Sequence, residues 1–387
     1  MFGGSLAYVI FLASFFKPIT WIIYCSSIIL GFGAAVLWTA QGVYITSCSK
    51  TDELHRNFGI FWMLFQLNGV IGNLYTYLHL SNVESITSDV RIPMYAVLTT
   101  VCALGSLVLL LLPQPRQVPV EINVSVDRPG DPSETSNILQ SSGNHPSSSS
   151  HSFDSPEEHV KTSPPQSPTI KSIIARSIAL SRTPTMLALL AATAFTGVNL
   201  TFYSGVFGTC LSRMQQFGKS AKSYIGLSGI FIGLGEIIGS QITLLGNRIR
   251  PGGVLCIGFV AALAGQLMAF LMIPPGAPVG TTSEIAFIQP TVYMAMTIAF
   301  LLGIVDSVWN TQISALIGRI YPDASQNTAA AFALYKFAQS VASAIAFFYS
   351  PHLLLHWQVL ILAVTATLGA FCFIVVERRC TRRQPVV

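Results

Sequence analysis

FLLGIVDSVWNTQ (residues 300–312) is an apolar run broken by one acid, and its setting decides the class of the chain. It lies inside an apolar stretch, 291–317. At 1.5 Å per residue that stretch is long enough to cross a hydrocarbon core of about 30 Å. Nine more apolar runs flank it, at 2–16, 20–45, 58–80, 92–112, 185–210, 223–246, 252–273, 328–349 and 353–376. The reading is therefore an all-α integral membrane, multi-pass protein with ten spans. The first run is the exception, because 15 residues make only about 22 Å of helix. It also lacks the basic start and small-residue cleavage site of a signal peptide.

The composition agrees. Only 10% of the 387 residues are charged, 51% are hydrophobic and the mean hydropathy is +0.59. A soluble domain carries about 25% charged residues. A cytosolic enzyme, a nucleic-acid binder and a disordered chain are excluded as the main reading. Seven cysteines are scattered singly, with no CxxC or Cys/His cluster, so no disulfide framework, metal site or cofactor is expected. The chain has no HExxH, no GxSxG and no phosphate loop, and no enzyme is expected.

Residues 113–184 break the apolar pattern. SSGNHPSSSSHSFDSPEEH is typical of this stretch, which has too little apolar surface to offset the entropy of ordering. The spacing predicts disorder over 114–168. It then predicts a short basic amphipathic helix, with Ile170, Ile173, Ile174 and Ile178 on one face and Lys171, Arg176 and Arg182 elsewhere. The expected organisation is a four-span bundle over 1–112, the linker over 113–184, a six-span bundle over 185–376 and a basic tail over 377–387. With the linker in the cytoplasm, fifteen Lys and Arg residues fall on that side and five on the other, as the positive-inside bias requires. Ser155, Ser163 and Ser167 each precede a proline in the linker and are candidate phosphorylation sites. The Asn123 sequon falls on the wrong side for glycosylation. Four spans before the linker and six after it suggest that two N-terminal helices are missing.

Ionisable groups within spans are the functional candidates, because a charge in hydrocarbon is costly without a partner or a cavity. Three such groups lie at similar depth: Glu236, Asp306 and Lys336. They read either as an ion pair that fixes helix packing or as a proton- or cation-coupling site. Asn310 stands one turn from Asp306 on the same face. Trp38 and Gln41 share a face of the second span, Gln66 and Asn73 a face of the third, and Asn199 is a further amide within a span. Any one of these alone reads as an interhelical hydrogen bond; their recurrence favours a cavity. The glycines around Glu236 (226, 229, 233, 235 and 239) read as close helix packing. His79 reads as an interfacial group, and Cys380 is a weak candidate for palmitoylation.

AAVLWTAQG (34–42), RNFGIFW (56–62), the glycine-rich run with Glu236, LGIVDSVWNTQ (302–312), KFAQS (336–340) and AFFYSPHLLLHWQ (346–358) resemble the unc-ninety-three-like branch of the major facilitator superfamily. The resemblance implies a major facilitator-like helix bundle, with two six-helix halves around a central cavity. It implies that the ten spans correspond to the third through twelfth of twelve. The cavity-lining fourth, seventh and tenth helices would then be those carrying Trp38 and Gln41, Asn199, and Asp306 and Asn310. Residues 246–252 resemble a degenerate copy of the superfamily's basic loop, with Asn247 where the pattern usually has Asp. Two functions are implied. One is a transporter-like protein that moves a small solute, coupled to a proton or cation. The other is a non-transporting regulatory or escort subunit of an ion channel or membrane receptor.

Overall fold

The computed structural model describes residues 1–80, 87–113, 170–244, 250–322 and 326–383. The expected disorder of 114–168, the sequon at Asn123, the serines at 155, 163 and 167, and most of the degenerate loop lie outside these residues.

Every apolar run is helical. Before the linker stand α1 (Phe2–Ala13), α2 (Thr20–Ser47), α3 (Leu54–Leu80) and α4 (Ser88–Val108). A 3₁₀ turn, Ser14–Phe16, extends α1. The basic isoleucine-rich stretch forms α5 (Ile170–Ser181), which packs mainly against the helix Gln326–Tyr349. That span begins at α6 (Pro184–Thr201), where Thr183 accepts a hydrogen bond from the Met186 amide and Pro184 presets the first turn. It then passes through a π-helical segment, Phe202–Val206, into α7 (Phe207–Arg213). Next come α8 (Ser223–Leu244), α9 (Pro251–Met272), α10 (Val292–Ile320), α11 (Gln326–Tyr349) and α12 (Leu355–Arg383). The last helix continues seven residues beyond the apolar run, into the expected tail. Arginines suit a helix C-terminus, where the carbonyl ends are negative.

Among the described residues, eight helices are long and apolar enough to cross a membrane. The other two expected spans are the shorter apolar helix Phe2–Phe16 and the 27-residue α3. The chain is an integral, multi-pass membrane protein with an all-helical architecture.

The core centres on α8 and α10, and glycine makes it possible. A Cβ on Gly303 of α10 would stand 2.0 Å from the carbonyl oxygen of Ile232, and one on Gly235 of α8 would stand 2.0 Å from that of Phe300. Backbones this close exclude any side chain at either position. The opposite side of α8 packs against α3, with Gly226 meeting Tyr77, Gly229 meeting Asn73 and Gly233 meeting Val70. So α8 is held between α3 and α10, and the glycines serve packing. Helices α6, α11 and α12 complete the core: Gly197 abuts the Gln339 backbone, and Gly369 abuts Ala192 and Trp309. Gly42 carries the Phe332 ring and so brings α2 onto α11. The remaining pair, α1 and α2, crosses at Gly4 and Gly33, and α4 leans on α1.

Candidate functional site

Midway along α10, Asp306 is 3% exposed, with Asn310, Tyr203 and Glu236 around its carboxyl. Asn310 Nδ2, one helical turn away, donates to Asp306 Oδ1 at 3.0 Å and to the Asp306 carbonyl at 2.9 Å. Tyr203, on the π-helical segment, lies near the same carboxyl. Glu236 reaches it from α8, across the contact made by Gly235 and Gly303. Two carboxyl groups can share a hydrogen bond only if one of them carries a proton.

A polar chain leads from Asp306 to α11. Asn310 Oδ1 accepts from the Tyr335 hydroxyl at 2.5 Å and from Gln339 Nε2 at 3.0 Å. Gln339 Nε2 also donates to Thr196 Oγ1 on α6, at 3.1 Å. At the far end, Lys336 Nζ donates to Gln339 Oε1 at 3.0 Å. Asn310 is 1% exposed, and its side chain spends both amide functions within this network. The network ties α10, α11 and α6 together at the level of the two acids.

Lys336 makes no direct ion pair with a described residue. Among the described residues, no carboxylate lies within 4.0 Å of its Nζ. Its expected pairing with Asp306 or Glu236 is replaced by the bridge through Gln339 and Asn310, because the two acids meet each other. The ammonium instead faces aromatic rings, with Nζ 4.4 Å from the centroid of Tyr335, 5.3 Å from Trp38 and 6.0 Å from Trp62. Ring faces attract a cation by about 0.5–2 kcal/mol according to desolvation. The wall continues beyond them. Trp38 and Trp62 lie nearly parallel, 13° apart with centroids at 6.0 Å, and Phe65 stands edge-on to Trp38 at 5.1 Å. Trp38 Nε1 donates to the Tyr8 hydroxyl at 2.9 Å, which fixes the indole.

Of the residues singled out from the sequence, Asp306, Glu236, Asn310, Lys336 and Trp38 come together in this arrangement. Gln41 and Asn199 stand outside it. Gln41 Nε2 and Asn199 Oδ1 are buried without a hydrogen-bond partner, although Asn199 lies one turn from Thr196 of the network. Asn73 donates to the Gly69 carbonyl at the α3–α8 contact and is a packing group. Five site residues were not picked out from the sequence: Tyr203, Tyr335, Gln339, Thr196 and Trp62. A signal existed for some. Tyr203 follows Asn199 by four, Gln339 follows Lys336 by three, and Tyr335 is its neighbour. Trp62 and Thr196 had no such mark.

Buried amides without partners continue along α10 and its neighbours. Gln312 is fully buried with neither amide atom hydrogen-bonded, and Gln266 on α9 is in the same condition.

A family model described as "Ion channel regulatory protein UNC-93" matches residues 1–374. The protein from Xenopus laevis called "UNC93-like protein MFSD11" is 38% identical over 390 residues, covering 99% of this chain and 81% of that protein. Its Xenopus tropicalis counterpart is 39% identical over 392 residues, with the same coverage. "UNC93-like protein 3" of Arabidopsis thaliana is 25% identical over 93% of this chain and 69% of its own length. Among solved structures, a major facilitator superfamily transporter, FucP, in the outward conformation, superimposes with a TM-score of 0.57 at 14% identity, over 100% of this chain and 82% of that one. That likeness establishes the fold. With the helices packed as described and the family model spanning nearly the whole length, the chain belongs to the UNC-93 family, built on a major facilitator-type membrane fold.

Proposed function

We propose that the chain is a transporter-like protein that works by alternating access, with the Asp306–Glu236 pair as its proton-coupling site. The carrying observation is the network at mid-depth. Asp306, with Glu236 beside it, is linked through Asn310 and Gln339 to a lysine on another helix. All of these groups lie within 185–376, and Lys336 at the end of the network meets Trp38 and Trp62 of 1–112, so a proton gained or lost at the pair changes the charge balance where the two halves touch. Charged groups at this depth mark ion or substrate pathways. In this reading ten helices span the bilayer, residues 1–112 and 185–376 form the two bundles, and the linker is cytoplasmic.

The test needs no substrate. The seven cysteines are replaced, and single cysteines are placed at Gln41 and Asn199. Sealed vesicles are then treated with a membrane-impermeant thiol reagent from either side. Alternating access predicts that each position is labelled from both sides. Labelling from one side only, or from neither, would reject it. An epitope at residue 145 reached from outside intact cells would reject the orientation.

The second reading, a regulatory subunit of an ion channel, is favoured by the description of the matching family. In it the same network holds the helices and moves no solute, and one-sided labelling is its expected outcome.

A further inference from the structure

We infer that Lys336 anchors a binding site for a small organic carboxylate with a flat apolar body, seated against the Trp38–Trp62 wall. As a substrate site it rests on the transporter-like reading; as a binding site it stands on the side-chain geometry alone.

The ammonium carries three donors, and the hydrogen bond to Gln339 Oε1 occupies one. Aromatic faces attract it but cancel no charge. Within the protein the acids are spoken for: Glu236 and Asp306 contact each other, and Asp306 also contacts Asn310, with Tyr203 near it. Among the described residues no carboxylate lies within 4.0 Å of Nζ, so the acids balance its charge only from a distance and its remaining donors have no anionic acceptor in contact. Lys336 is half-buried rather than enclosed, and so are Trp38, Phe61 and Phe65 beside it.

The surroundings narrow the ligand. A cation is disfavoured, because the lysine charge beside the rings repels it. A phosphate would call for the forked donors of arginine or for several charges, and the site offers one ammonium. The Trp38 Nε1–H is taken by Tyr8, so that indole presents a face and not a donor. A flat body stacks on such a face while a carboxylate reaches Nζ.

Transport coupling would follow from charge. The acid pair with one shared proton balances Lys336. A bound carboxylate adds one negative charge, and a second proton on the pair restores neutrality. One anion would move with one proton.

The probe is radiolabelled benzoate, measured by equilibrium binding to the purified full chain in detergent. Saturable binding is expected, displaced by unlabelled benzoate and not by benzamide or benzylamine. Lys336→Gln should weaken it about tenfold or more, and Lys336→Arg should restore it to within a few-fold. Trp38→Leu keeps the charge and removes part of the wall, and should weaken binding several-fold. It decides the matter together with benzamide competition if Lys336→Gln does not remain monodisperse on size exclusion. Absence of saturable binding up to about 10 mM would overturn the inference. So would equal binding by Lys336→Gln, equal competition by benzamide or benzylamine, or displacement by phosphatidylserine in mixed micelles, which would make the ligand a lipid. Benzoate binding combined with one-sided labelling at Gln41 and Asn199 would keep the anion site and remove transport. Two-sided labelling without benzoate binding would do the reverse.

Discussion

Helices α2 and α10 are 28 and 29 residues long and comparably apolar, yet they live in different surroundings. Across the most apolar 18 residues of each, 11% are buried in α2 and 67% in α10. Their sequences explain the contrast. Outward positions of α2 carry Trp21, Ile28, Phe32 and Val36, all more than half exposed. The buried length of α10 carries Gly303, Ser307, Thr311 and Gly318 among its apolar residues. Hydrocarbon and protein interior are equally apolar, so hydropathy alone does not separate a lipid-facing helix from a central one. Small residues do, because dispersion between close backbones drives association where no hydrophobic effect operates. The Ser240 and Ser307 hydroxyls, 2.6 Å apart, add a polar contact at the same seam.

The strongest test of this contrast is a side chain at the α8–α10 crossing. Gly303→Leu must displace the Ile232 carbonyl, so its cost should exceed about 4 kcal/mol. It should abolish the monodisperse peak on size exclusion. Gly31→Ala, with nothing within 4 Å, should by contrast raise the melting temperature slightly, since alanine favours helix by about 0.5–1 kcal/mol. Equal behaviour of the two variants would remove close packing as the organising feature of the core.

Asn310→Leu should come next. It leaves the Tyr335 hydroxyl without its acceptor and deprives Gln339 of one of two, at about 1–3 kcal/mol for each orphaned group. The measurement is the melting temperature in one detergent. A loss no greater than that of a lipid-facing control would show that the network is dispensable for stability.

Double-mutant cycles sharpen the position of Lys336. Lys336→Met with Gln339→Leu should show a coupling of about 0.5–3 kcal/mol, as for groups in contact. Lys336→Met with Glu236→Gln should couple more weakly than that pair, since only the bridge through Asn310 and Gln339 joins the lysine to the acids. The reverse order would restore the direct ion pair and reject the bridge.

The smallest effect is expected on α2. Phe32, 75% exposed, should tolerate replacement by Leu within about 0.5 kcal/mol. A larger loss in melting temperature would mean that a helix or partner covers that face.

Much of this was legible in the chain itself. Ten apolar runs, a polar linker and three ionisable groups at one depth specify a multi-pass helical protein with a polar centre. They do so because the bilayer forces backbone hydrogen bonds inside each span and makes each internal charge conspicuous. Periodicity also placed Asn310 beside Asp306, since one helical turn separates them. What periodicity cannot reach is contact between helices. Nothing in the spacing of Glu236, Asp306 and Lys336 tells which two meet. The glycine crossing of α8 and α10 brings the acids together, and the packing of α2 and α3 against α11 sets the tryptophans against the lysine. Opposite charge predicted an acid–lysine pair. The tertiary structure chose an acid–acid pair and an aromatic wall, because the choice of neighbours belongs to helix packing and not to charge.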